Sequence, residues 1–368
     1  MFTHKVDKIP SGCAIAGIID RRGEKIEGQT IVNAISAMEE RSTNLGAGFA
    51  GYGIYPDCAD LTAFHVMFEF RRALEETRDF LKQRFFVQLE EAIPTTKVKF
   101  ITNPPMLRRF FARPRADVML DEAIATEEEF VRQAVIFINE KIDGAFVFSS
   151  GKNLGVFKGV GFPCDIAEFY RVPQYKAHLW IAHGRFPTNT PGWWGGAHPF
   201  NMLNWSIVHN GEVSSYGINK RYLESFGYKC TLRTDTEVLA YLLDLLIRVH
   251  GLPTDVATMA MAAPFWKDID RMEPERRELV KAARMIYGGA LVNGPFSIIV
   301  GYDRGMFGLN DRIKLRPMVA AVKGPFTYIA SEECAIREVC PDPERVWSPR
   351  GGEPVIAELE STVAETKG

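Results

Sequence analysis

The chain has 368 residues, 46% hydrophobic and 24% charged, with a formal net charge of −2. That length can bury a large core in one elaborated domain or two, and the near-neutral balance excludes a nucleic-acid surface or a polybasic membrane patch. The six cysteines are scattered with no Cys-x-x-Cys pair, which excludes the usual zinc and iron–sulfur spacings and argues against a disulfide framework, so a reducing, cytoplasmic setting is expected. No run approaches the roughly 18 apolar residues of a membrane span, and the first ten residues hold no apolar stretch suited to a signal peptide.

A polar leader runs into Ser11-Gly12-Cys13, and Cys13 opens the apolar, β-branched run 14–19, a predicted buried strand. A cysteine there is either a structural thiol, the commoner case for a lone cysteine, or a nucleophile whose base is its own α-amine. Residues 29–40 predict an amphipathic helix with Ile31, Ala34, Ile35 and Met38 on one face. In 45–55 glycines alternate with apolar residues, as in a strand closely approached by another backbone or a ligand; the spacing is not a dinucleotide fingerprint. Over 61–155 the predicted order is β-α-β-β-α-β, with strands at 64–70, 97–101, 107–112 and 146–149 and helices at 71–86 and 126–141. Thr126 and Glu129 form a capping-box pattern. That order is ferredoxin-like, and the segment reads as an inserted subdomain for docking or for covering the core.

A strand at 178–182 runs into the loop 183–200, dense in Gly, Pro, Trp and His, which suits a rigid binding loop. A further strand, 205–208, ends in His209-Asn210-Gly211-Glu212. A helix is predicted at 216–226, then Arg233-Thr234-Asp235-Thr236-Glu237 caps a long apolar helix over 238–249. Residues 265–285 predict one charged helix. Strands are expected at 296–302, 318–322 and 326–330, a short helix opens at Ser331-Glu332-Glu333, and the tail beyond 356, certainly 361–368, is expected to be loose.

Singly, a loop arginine, an Asn-Gly turn and an aspartate before a helix are ordinary. In order, however, Cys-x-Ile-x-Gly-Ile from Cys13, His-Gly-Arg-Phe-Pro-Thr-Asn-Thr from His183, His-Asn-Gly-Glu from His209 and Thr-Asp-Thr-Glu from Thr234 resemble the class II glutamine amidotransferases. The Arg loop, with Trp193-Trp194 and His198-Pro199-Phe200 after it, is most similar to the glutamate synthase branch. Asn293-Gly294-Pro295-Phe296, Leu315-Arg316-Pro317 and Ala330-Ser331-Glu332 fit the same pattern. The resemblance spans 13–55 and 180–337. With the insertion and no fused synthase domain, the chain resembles the separate glutaminase subunit of archaeal-type glutamate synthase; N-methylglutamate synthase uses a related subunit.

The resemblance implies an α+β fold, a four-layer αββα Ntn-hydrolase sandwich with the ferredoxin-like insertion. Residues 1–12 would be a leader or propeptide, and 13–360 the amidotransferase domain interrupted by 61–155. It implies hydrolysis of L-glutamine to L-glutamate and ammonia, with the ammonia passed to a separate synthase subunit in a hetero-oligomer. FMN and iron–sulfur clusters would sit on that partner, with no cofactor or metal in this chain. Cys13 would be the nucleophile, and Asn210 and Gly211 the oxyanion donors. Arg185 would bind the substrate α-carboxylate with support from Thr188, and Asp235 the α-ammonium, a pair suited to an α-amino acid. His183, His198 and His209 could suggest zinc, but the resemblance implies loop-fixing roles. Trp193 and Trp194 either close the loop over glutamine or pack. Two features depart from the family pattern. Ala14 stands where glycine is common, and Cys13 is internal, so its nitrogen is an amide and not a base. Cleavage between Gly12 and Cys13 is therefore expected; an uncut chain would be a dormant regulatory or scaffold subunit.

Overall fold

The computed structural model describes residues 12–186, 192–232 and 234–360. Its centre is the strand Ala14–Asp20, buried along its whole length. The run of Ile and Ala can be covered on both faces, so it lies mid-sheet. Leu179–Gly184 flanks it on one side and Phe326–Ala330 on the other, both antiparallel. The full seven-stranded order is Arg345–Trp347, Val319–Lys323, Phe326–Ala330, Ala14–Asp20, Leu179–Gly184, Ala47–Tyr52, Leu154–Gly159. A second, five-stranded sheet runs Phe200–Met202, Trp205–Gly211, Phe296–Tyr302, Gly305–Asn310, Val355–Glu358.

The two sheets pack face to face where Gly17 leaves room. A methyl there would lie 3.0 Å from Ile299 Cγ2 and 3.1 Å from Met306 Sδ. Helices Gly28–Ser36, Pro163–Phe169 and Glu333–Val339 cover the outer face of the first sheet, and Asp235–Leu243 covers the second. This is the expected αββα sandwich. The glycine-rich strand, now Ala47–Tyr52, is approached closely by backbone: a methyl on Gly48 would fall 2.2 Å from the His198 carbonyl oxygen.

The insertion leaves the main sheet after Ala47–Tyr52 and returns as Leu154–Gly159, which pairs with that same strand. Between them lie Thr62–Phe68, helix Arg71–Arg84, Phe85–Ala92, Met106–Pro114, helix Glu127–Lys141 and Ala145–Ser149. The four strands stand in the order second, third, first, fourth, all antiparallel, which is the ferredoxin-like arrangement. Phe64, Phe85, Phe110 and Phe130 fill its core. Thr126 caps the second helix, its hydroxyl accepting from the Glu129 N–H at 3.2 Å.

Several expectations are corrected. The second strand of the insertion is Phe85–Ala92, not 97–101. A register shift between Val87 and Leu89 breaks its alternation, and its carboxylates face basic partners on the next strand, Glu90 with Arg108 and Glu91 with Arg109, both at 2.8 Å. Ion pairs across a sheet do not show as hydrophobic periodicity. The helix expected over 265–285 is two, Trp266–Ile269 and Pro274–Ile286, because Pro274 cannot continue the first and suits the opening of the second. The strands Leu154–Gly159, Gly305–Asn310 and Val355–Glu358 were not expected; each of the first two contains two glycines. The last reaches past residue 356, where a loose tail was expected. Residues 361–368 lie outside the described residues.

Gly17→Val is expected to lower the unfolding free energy by about 1–3 kcal/mol, because the added methyls must separate sheets that are already in contact. Urea titration followed by circular dichroism measures it, and an unchanged midpoint would contradict this packing.

Candidate active site

Cys13 stands one residue before the central strand. The register pairs Ala14 with Gly184, so Cys13 sits beside Arg185 and Phe186 as they leave the neighbouring strand. The Phe186 N–H donates to Cys13 Sγ at 3.3 Å. Arg41 Nε donates to the Cys13 carbonyl oxygen at 3.4 Å, while its Nη1 pairs with Glu332 at 2.7 Å. Gly12 has φ of +135° in a tight ring of side chains. A methyl on it would meet Arg316 Nη1 at 2.9 Å, Arg41 Nη2 at 3.0 Å and Asn210 Oδ1 at 3.2 Å. Burial pushes the Cys13 thiol up; the Phe186 N–H and the Arg185, Arg316 and Arg41 guanidinium groups pull the other way without overcoming it.

Asn210 and Gly211 end the strand Trp205–Gly211, opposite Ser297 and Phe296. Asn210 is fully buried, yet neither atom of its side-chain amide has a partner among the described residues. Such a group is costly to bury unless something else binds it. Gly211 has φ of +145°, and a methyl on it would fall 1.9 Å from the Pro295 carbonyl oxygen, so only glycine fits.

Arg185 is fixed by its backbone. Its N–H donates to the Gly46 carbonyl at 2.9 Å, and its carbonyl accepts from the Thr43 N–H at 2.8 Å. Asp235 opens the helix Asp235–Leu243, behind the Thr234 cap. Its Oδ2 accepts from the Val213 N–H at 3.0 Å, and its Oδ1 from the Thr236 hydroxyl at 3.2 Å, with His209 Nδ1 3.6 Å away. Burial pushes this carboxyl up, but His209, the Val213 N–H and the Thr236 hydroxyl outweigh it and hold it at about 2. Thus Cys13, Arg185, Asn210, Gly211 and Asp235, more than 200 residues apart at the extremes, lie at neighbouring strand and helix ends. Thr188 lies outside the described residues.

The three histidines are buried and share a cluster in which the His183 and His198 rings stack with centroids 4.1 Å apart. Among the described residues no group of three His, Cys, Asp or Glu side chains is placed to hold a metal. Trp194 packs edge-on against Phe169, and Trp193 lies beside Phe146 while remaining 44% exposed. Three further residues lie at the site, and of these only Arg316 stands in a run that the sequence marked out. Arg41 and Arg316 ring Gly12; Arg316 sits in Leu-Arg-Pro, but Arg41 follows a helix in no motif. Lys158 is fully buried and pins the loop that follows Arg185, donating from Nζ to the Gly195 carbonyl at 2.9 Å beneath the Phe200 ring. Burial brings its ammonium down to about 7.

Residues 96–346 match the family of glutamine amidotransferases class-II. The chain belongs to that family, whose chemistry is the transfer of the amide nitrogen of glutamine. The matched range begins after the Cys13 strand. The chain is 49% identical over 98% of its length to an uncharacterized protein of Archaeoglobus fulgidus, covering 95% of that protein. It is 27% identical over 55% of its length to the glutamine amidotransferase-like protein GlxB of Rhizobium meliloti and 24% identical over 51% to an amidophosphoribosyltransferase of Methanocaldococcus jannaschii. Those matches span only 59% and 35% of the two relatives. No helix among the described residues is long and apolar enough to cross a membrane.

Because the Asp235 carboxyl is held at about 2, against 3.8 when free, its ionised form stabilises the fold above pH 4, and that contribution disappears as pH falls toward 2. Native protein is therefore expected to exceed Asp235→Asn in unfolding free energy by about 2 kcal/mol at neutral pH. Urea titrations at stepped pH should show the gap closing between pH 4 and 2; a gap independent of pH would contradict the depressed carboxyl.

Proposed function

We propose that this chain is a glutaminase subunit that hydrolyses L-glutamine to L-glutamate and ammonia, and hands the ammonia to a separate synthase partner of the glutamate synthase type. The observation that carries this reading is Asn210. It is a fully buried amide with no protein partner among the described residues, and it faces the backbone immediately before Cys13.

In this reading Cys13 Sγ attacks the side-chain carbonyl carbon of glutamine. The proton leaves the thiol for the α-amine of Cys13 and goes on to the departing ammonia. The Asn210 side-chain amide and the Gly211 N–H hold the oxyanion of the tetrahedral intermediate. Water then releases glutamate from the thioester. Arg185 pairs with the α-carboxylate, with Thr188 in support, and Asp235 takes the α-ammonium. The nitrogen of Cys13 becomes a base only when the Gly12–Cys13 bond is cut. Cutting it also vacates the ring of Arg41, Arg316 and Asn210 that Gly12 occupies, so the uncut chain is the dormant form. The reductive half of the reaction, with FMN and iron–sulfur clusters, belongs in this reading to the partner, and a hetero-oligomer follows from it.

Intact mass spectrometry combined with a glutamate-release assay tests the reading. A species beginning at Cys13 is expected to release glutamate and ammonia, and Cys13→Ala to abolish both. Asn210→Ala is expected to lower kcat by about a hundredfold to a thousandfold, the usual cost of one oxyanion donor. Glutamate release from a species that still carries Gly12 would overturn the free-amine mechanism, and activity surviving in Cys13→Ala would overturn the assignment of the nucleophile.

A further inference from the structure

We propose that Thr236, held between His198 and His209, is the positioning residue that sets the Asp235 carboxylate for the substrate α-ammonium, and so determines selectivity for α-amino acid amides. The proposal rests on the glutaminase reading and deepens it.

Thr236 is fully buried. Its hydroxyl oxygen lies 2.8 Å from His198 Nε2, 3.1 Å from His209 Nδ1 and 3.2 Å from Asp235 Oδ1. A hydroxyl has one proton to give and two lone pairs to receive. The ionised carboxylate only accepts, so the Thr236 proton points to Asp235 Oδ1. Both imidazoles must then donate to the hydroxyl, which fixes His198 with its proton on Nε2 and His209 with its proton on Nδ1. The remaining nitrogens, His198 Nδ1 and His209 Nε2, are the ring atoms without partners among the described residues. The third ring follows the same logic. His183 Nε2 lies 3.1 Å from the His209 carbonyl oxygen, so it donates there and leaves Nδ1 bare and without a partner among the described residues. Every hydrogen in the cluster therefore has one direction, and reversing any of them would bury an N–H with no acceptor.

The consequence falls on Asp235. Its Oδ2 is held by the Val213 N–H, and its Oδ1 by the Thr236 hydroxyl with Thr234 Oγ1 at 3.5 Å. The carboxylate plane is thereby fixed while its side chain stays 20% exposed, free to accept a further donor. His198 also ends the loop that Arg185 begins. The hub thus joins the proposed carboxylate partner, at one end of that loop, to the proposed ammonium partner on the helix.

The test compares L-glutamine with glutaramate, which is glutamine without its α-amino group, by ammonia release from the protein that begins at Cys13. Thr236→Val keeps the shape and removes the hydroxyl. It is expected to raise KM for L-glutamine about tenfold while kcat changes by less than about threefold, with kcat/KM for glutaramate within about twofold of the native value. Thr236→Ser, which restores the hydroxyl, is expected to recover the native KM. An equal fall on both substrates, or an unchanged KM for L-glutamine, would overturn the proposal. Calorimetric binding of the two compounds to Cys13→Ala, with and without Thr236→Val, makes the same comparison without turnover. A native protein that binds L-glutamine but releases no ammonia would therefore count against the glutaminase reading, while selective loss of L-glutamine affinity in the double variant would still support the hub.

Discussion

The antiparallel pairing of Ala14–Asp20 with Leu179–Gly184 is the constraint on which the rest of the structure depends. Opposing Ala14 to Gly184 places Cys13 against Phe186, whose N–H reaches the sulfur. A slip of one residue would turn the whole central strand over and remove that contact. The sheet-to-sheet approach at Gly17 then sets the second layer close beneath, so that Trp205–Gly211 ends with Asn210 facing Gly12. That strand pair and one close face-to-face contact thus bring residues from three distant stretches to one edge of the sandwich.

The chemistry at that edge is decided by how its polar groups are buried. Three guanidinium groups surround Cys13, yet burial still holds its thiol proton more tightly than water would. Asp235 is largely buried as well and goes the other way, because His209, the Val213 N–H and the Thr236 hydroxyl converge on its ionised form. His183 and His198 have burial without converging opposite charge: His183 is pushed down to about 3 and His198 is pushed well down too. Those two rings, pushed toward the uncharged form and each held in a single tautomer, make a rigid polar support.

The four motifs were legible in the sequence because each is a short run with its own backbone demand. Gly211 needs a positive φ, Thr234 caps a helix, and the run after Cys13 is β-branched and apolar. The order of the insertion was legible for a similar reason: its two long helices are amphipathic, and the second is capped by Thr126. Phe85–Ala92 was not, since its pattern is written in ion pairs and broken by a bulge. Arg41 and Arg316 were not legible as neighbours of Cys13, because nothing local distinguishes a guanidinium that will be folded against a thiol from one that faces water.

From the sequence by itself, the resemblance of the ordered motifs to a known family carried the class of fold and the family, while strand periodicity, turn glycines and helix caps, being local properties of the chain, carried the individual elements. Only the tertiary structure decided that Gly12 lies within the ring of Arg41, Arg316 and Asn210, that the Asn210 amide is left without a partner among the described residues, and that Thr236 is shared by two histidines and an aspartate. Those are relations between surfaces hundreds of residues apart, and they arise only when strand register and sheet packing close the distances between them.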